Sequence, residues 1–276
     1  MPVDTRLHPP DPLPARNVVP FVLVAFGLAW GIFALFVLYP DEITTLMGAP
    51  SAAHPLFILA VWAPAIAALA LIWWHAGLGG VGRFLSRLLL WRMGAGWWAV
   101  LLLGVPAVYM AGAALMGRPL LAPVDSAAAL FAAAAFMAIL GPVEEFGWRG
   151  LMLPLLQRRM APVWAGLVVG VVWGLWHLPA FFLGGTPQSG WDFTPFFAGA
   201  VGASLILTAM FNASRGSLLV AMLFHYSLNF PLWPDGQPWD MWLFAGAGVL
   251  AVALCRRTMF ARAGGVTEVV PPASSG

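Results

Sequence analysis

Lysine is absent from this chain of 276 residues, so all 13 of its cationic side chains are arginines. Charged residues of both signs reach only 9%, against about a quarter in a soluble globular domain, which excludes a water-facing fold. The net charge of +2 is spread over loops and gives no surface for nucleic acid. A single cysteine, Cys255, excludes an intrachain disulfide and a cysteine-rich metal centre. No H-E-x-x-H helix, G-x-S-x-G elbow or G-x-G-D stretch occurs. With no internal repeat, no pair of interrupted helices and no long linker, one bundle is expected.

What the chain has instead is apolar length, with 61% hydrophobic residues and a mean hydropathy of +0.87. A bilayer-spanning helix needs about 20 mostly apolar residues and must satisfy its backbone internally. Runs of that kind predict an all-α, polytopic membrane protein of about eight transmembrane helices. They cover 18–38, 56–75, 97–116, 127 into an acidic motif near 144, 163–183, 193–211, a short 217–233, and 239–255. Between the second and third, "GLGGVGRFLSRLLLWRMG" sets Arg83, Arg87 and Arg92 among leucines, the pattern of an interfacial amphipathic helix. The proline-rich 1–17 is expected to be a disordered cytoplasmic tail, 18–257 a single bundle, and 258–276 a second disordered tail.

The exposed segments carry two, none, three, one, three, none, one, none and three arginines in order, so alternate segments hold twelve of the thirteen. Retained cationic loops mark the cytoplasmic side, which predicts eight spans with both termini cytoplasmic. Many Ala, Arg, Gly and Pro residues with no lysine suggest a bacterial plasma membrane.

An ionisable side chain at membrane depth costs roughly 2.5 to 3.5 kcal/mol on insertion scales. Few are present. Of eleven acids, only Glu144 and Glu145 fall inside apolar runs, with Asp240 among those assigned to loops; of five histidines, only His177 and His225 do. The turn signal "RRMAP" at 158–162 should reverse a helical hairpin. Glu144 and His177 stand about 21 to 22 Å from it on opposite arms, so antiparallel neighbours would hold them at one depth. His225 and Asn229 are four apart on the seventh run and share a helix face at a similar level. Glu145 and Arg149, also four apart, should form a structural ion pair. Glu144 points about 100° away, without a cation, and is free to act as a general base on water. Gly141 and Pro142 should loosen the helix just before the acids. Trp148, Trp173 and Trp176 are expected to be walls near this cluster.

The stretches "EEFGWR", "WGLWH" and "HYSLN" resemble the three motifs, E-E-x-x-x-R, F-x-x-x-H and H-x-x-x-N, of the CAAX-protease and bacteriocin-processing (CPBP) family of intramembrane proteases. Order and spacing agree over roughly 125 to 235, with Trp173 where the second motif usually has phenylalanine. The resemblance implies an intramembrane endopeptidase acting on a membrane-associated peptide that is CAAX-like, lipidated or a leader. Glu144 with His177 would activate water, and His225 with Asn229 would hold the oxyanion. Members have also been described as metalloproteases, and Glu144, His177 and His225 would suffice for a three-ligand zinc site. Other readings of the same residues are a proton-coupled transporter using a Glu-His-His relay, or a silent binding or immunity protein.

Overall fold

The computed structural model describes residues 12–272, which are helical with no strand among them. Six helices are long and apolar enough to cross a bilayer: α1 (Ala15–Leu38), α2 (Ala63–Leu89), α3 (Ala95–Leu115), α4 (Ala127–Gln157), α5 (Pro162–Phe182) and α6 (Phe193–Ala213). Two shorter apolar helices, α7 (Leu218–Leu228) and α8 (Trp239–Leu254), complete an integral membrane bundle.

The second expected span is displaced. A separate short helix, Pro55–Val61, ends before Ala63, where Pro64 suits a first turn but not a helix interior. Beyond His75 the helix continues across Gly77, whose positive φ of 62° breaks its direction. The arginine-bearing amphipathic segment is therefore the far limb of α2. Arg87 on that limb is buried, donating to the carbonyls of Gly150, Gly216 and Val269 at 2.8, 2.9 and 3.1 Å. Arg149 is fully buried as well, so two of the arginines assigned to loops are internal.

The expected tails are corrected where they fall within the described residues. Leu13 is fully buried and Ala15–Asn17 forms a 3-10 turn. At the other end Val269 and Val270 are buried, and carbonyls of the same segment accept from Arg83, Gln157 and Arg158. Polar composition masked two apolar anchors flanked by acceptor carbonyls. Residues 1–11 and 273–276 of the two tail assignments lie outside the described residues.

The bundle centres on α6, buried almost continuously from Gly199 to Phe211 between α5 and α8. Small residues permit that approach: a Cβ on Gly248 would stand 2.6 Å from the Gly202 carbonyl oxygen. Ser204 donates to the Gly166 carbonyl at 2.8 Å across the α5–α6 contact. In lipid, close backbone packing and such bonds replace the hydrophobic drive between helices. α7 spans only 11 residues, about 16 Å, too short for a bilayer. The chain after it is irregular, as is tolerated at depth only where backbone is buried or lines a cavity.

Candidate active site

The site begins where α4 breaks. Its first half, Ala127–Leu140, ends at Gly141, and Pro142–Glu144 forms a 3-10 turn. Proline supplies no N–H and disfavours helix at the residue before it, as expected for these two residues. A π-helical turn, Trp148–Met152, follows. Such turns are frequent at functional sites.

This local geometry turns both acids inward. Glu144 is 3% exposed and Glu145 fully buried. Glu144 Oε2 accepts from Trp173 Nε1 at 2.8 Å and from Trp148 Nε1 at 3.3 Å. Both tryptophans were expected to be walls; each is a donor to the carboxylate, a role that spacing alone does not reveal for an indole. Trp176 is a wall, its Nε1 donating to the Ala25 carbonyl at 3.3 Å.

Trp173 joins the cluster. Its carbonyl lies 2.8 Å from His177 Nδ1, its ring meets those of His177 and His225 edge-on at 5.5 and 5.4 Å, and Arg149 Cζ lies 5.1 Å over it. A carbonyl can only accept, so His177 Nδ1 carries hydrogen and Nε2 presents a lone pair when the ring is neutral.

Glu145 makes the expected pair with Arg149, at 3.0 and 3.1 Å. It also does something unexpected: its Oε1 lies 2.7 Å from His225 Nδ1. The contact links residues 80 apart and left no trace in the helical spacing. His225 is buried at 3% exposure. Asn229 caps α7, its backbone N–H reaching the His225 carbonyl at 3.2 Å, and its side chain stands nearby. A Cβ on Gly141 would collide with Asn229 Nδ2 and come within 3.0 Å of His225 Nε2. Glycine is what lets α4 touch both groups.

Glu144, His177, His225 and Asn229 line one cavity of about 390 Å³, together with Trp173 and Gly141. All four expected site residues are thus brought together. The two acids, treated separately on sequence grounds, take different partners: two indoles for Glu144, and an imidazole with a guanidinium for Glu145. Asp240, expected in a loop, is 1% exposed in the first turn of α8 and lines the far wall beside Tyr109. His54, expected outside the spans, is 3% exposed and caps the Pro55–Val61 helix through Nδ1.

Among the described residues no three His, Cys, Asp or Glu side chains are grouped as ligands for a metal ion, while the contacts above occupy Glu144 Oε2 and both Nδ1 atoms and leave Glu144 Oε1, His177 Nε2 and His225 Nε2 open.

Residues 126–231 match the family model described as type II CAAX prenyl endopeptidase, Rce1-like. This segment is similar to the CPBP family. It is also 34% identical, over 92 residues, to CAAX prenyl protease 2 of Methanococcus maripaludis, an alignment covering 31% of this chain. The alignment spans 34% of that relative's own length. The matched segment contains all three polar motifs and the whole of α4 to α7, while α1 to α3 and α8 lie outside it.

Proposed function

We propose that this protein is an intramembrane endopeptidase that hydrolyses a peptide bond in a membrane-associated substrate of the CAAX-like, lipidated or leader-peptide kind. Similarity to a protease family over residues 126–231 supports the peptidase class. The single observation that carries the chemistry is the sharing of one buried cavity by Glu144, His177, His225 and Asn229.

With Oε2 held by two indoles, Glu144 keeps Oε1 for a water proton, and His177 Nε2 accepts the water's second hydrogen. The water oxygen bonds to the substrate carbonyl carbon as Glu144 takes the proton. Collapse of the tetrahedral intermediate breaks the C–N bond, and the proton passes from Glu144 to the departing nitrogen. Oxyanion charge falls to Asn229 Nδ2 and His225 Nε2, neighbours across Gly141. For Nε2 to donate while Nδ1–H stays on Glu145, His225 carries both protons, and the Glu145 carboxylate is its counter-charge. One such donor is worth about 3 to 4 kcal/mol in the transition state. The arginine asymmetry supports termini on the cytoplasmic side, and the composition a bacterial plasma membrane.

The test is cleavage by the purified chain in detergent, with a panel of C-terminal CAAX-type and bacteriocin-leader peptides. Cleavage is expected from wild type and from His75→Ala at an exposed helix position, and is expected to vanish in Glu144→Gln and His177→Ala. Equal cleavage by wild type and Glu144→Gln would overturn the assigned base. Proton flux into liposomes without hydrolysis would replace the peptidase by a transporter.

A further inference from the structure

The lining of the cavity holds a group with no part in the proposed hydrolysis. Gln237, in the irregular stretch between α7 and α8, is 9% exposed and lines the cavity. Neither its Oε1 nor its Nε2 has a hydrogen-bond partner among the described residues. A second carboxamide oxygen, Gln188 Oε1, is buried and unpartnered in the same lining.

Buried amides are nearly always paired within the protein, because leaving them unpaired destabilises the fold. The backbone that carries Gln237 is clamped on both sides. Its N–H donates to Asp235 Oδ1 at 3.1 Å, and the preceding Gly236 N–H donates to Asp240 Oδ2 at 3.2 Å. Arg118 holds Asp235 through its carbonyl at 2.8 Å and its carboxylate at 3.2 Å. Gly236 is pressed against α3 so closely that a Cβ would stand 2.8 Å from the Ala113 nitrogen. The loop thus places an uncharged carboxamide, with donor and acceptor both unpaired among the described residues, in a lining shared with Tyr109, Phe230 and Phe244.

We propose that Gln237 is a substrate-binding residue whose carboxamide pairs with a main-chain peptide group of the bound substrate, with Gln188 Oε1 as a second acceptor. One N–H and one C=O on the protein complement one C=O and one N–H on an extended peptide. The ligand class is therefore the peptide backbone itself, recognised whatever its side chains, and neutral at the point of contact. This rests on the endopeptidase reading and adds to it how the chain being cut is held beside Glu144.

The experiment uses the full chain in detergent and the CAAX-type peptide it cuts fastest, with ester analogues that remove one backbone N–H at a time around the scissile bond. Gln237→Leu keeps the shape and discards both polar atoms. It is expected to raise KM about tenfold with kcat within about twofold, and to unfold no earlier than wild type, since replacing an unpaired buried amide relieves a cost. One ester analogue is expected to lower kcat/KM of wild type about tenfold and to cost Gln237→Leu nothing further. Gln237→Met, more flexible, serves as a second apolar variant with the same expectation. An unchanged KM in a folded apolar variant, or ester penalties equal in wild type and variant, would overturn the inference while Glu144→Gln remained inactive. Equal cleavage by wild type and Glu144→Gln would instead remove the underlying reading.

Discussion

Glu145 Oε1 stands 2.7 Å from His225 Nδ1 while the same carboxylate holds Arg149 at 3.0 Å, so one fully buried acid ties α4 to α7. The two adjacent glutamates therefore carry separable burdens. Arg149 Nε and Nη2 make no hydrogen bond among the described residues, so neutralising Glu145 strands a buried cation. Breaking such a pair costs about 3 to 5 kcal/mol. Glu145→Gln should lose that stability together with activity, whereas Glu144→Gln, which can still accept from both indoles, should lose activity and keep its unfolding temperature. Thermal unfolding of both variants in one detergent reads the difference. An unfolding temperature for Glu145→Gln equal to wild type would show that Glu145 is not the keystone of this contact.

Gly141 yields a prediction of the opposite kind, in which nothing is removed. One added methyl at this position meets Asn229 Nδ2 and approaches His225 Nε2 within 3.0 Å. Overpacking of this kind costs about 1 to 3 kcal/mol, and here the strain falls on the two groups assigned to the oxyanion. Gly141→Ala should reduce kcat by about a hundredfold with a modest loss of stability and little change in KM. Steady-state kinetics on the folded variant decide it, and an unaltered kcat would contradict the assignment of this corner to charge stabilisation.

What could be seen in advance of the structure follows from how membrane chains encode themselves. Length and hydropathy locate helices because lipid leaves the backbone no alternative, and four polar side chains inside those runs were enough to find the cavity. Depth counting from the "RRMAP" turn placed Glu144 and His177 on facing arms, and both line the cavity, although a 3-10 turn and a π turn interrupt the regular rise of the first arm. It could not reveal that Glu145 reaches His225, since that contact depends on the rotation of α7 against α4. Trp173 and Trp148 were equally opaque: an indole is apolar by composition, and its single N–H matters only once its direction is known. Asp240 was lost for a related reason. It stands at a helix start beside prolines and other acids, where the sequence reads as loop, yet the close approach of Gly112 buries it. The C-terminal segment misled because anchoring rests on two valines and on carbonyl groups that every residue possesses.

Trp173 offers a test of how much the indole contributes. Trp173→Phe restores the residue usual in the second motif, keeps an aromatic ring near His177 and His225, and removes the 2.8 Å donor to Glu144 Oε2. Trp148 remains as a donor at 3.3 Å. A hydrogen bond to a charged group is worth about 1.5 to 3 kcal/mol. Cleavage should therefore fall by roughly tenfold to a hundredfold in kcat/KM but not disappear. Trp173→Ala, which also opens a large void among the rings, should cost about 3 to 5 kcal/mol of stability besides. Loss of all activity in a well-folded Trp173→Phe would mean that the indole itself takes part in the reaction.

The terminal segment 266–271 makes a prediction about stability alone. Val269 is fully buried and Val270 is 4% exposed; burying each contributes about 1.5 to 3 kcal/mol as an upper bound. Carbonyls of this segment receive Gln157 Nε2 at 2.8 Å, Arg158 Nε at 2.9 Å and Arg87 Nη1 at 3.1 Å. Arg87 also bonds the Gly150 carbonyl in the π-turn and the Gly216 carbonyl before α7. Through Arg87 the strap thus braces α4 at its π-turn and the entrance to α7, two of the three helices that carry site residues. A chain ending at Gly265 should unfold several degrees earlier, by about 2 to 4 kcal/mol in all, and Val269→Asp should reproduce most of that loss by placing a charge where a side chain is enclosed. KM for any peptide cut should stay unchanged below the new unfolding temperature, because no residue of the strap lines the cavity. Unfolding of the shortened chain at the wild-type temperature would return this segment to the status of an unanchored tail.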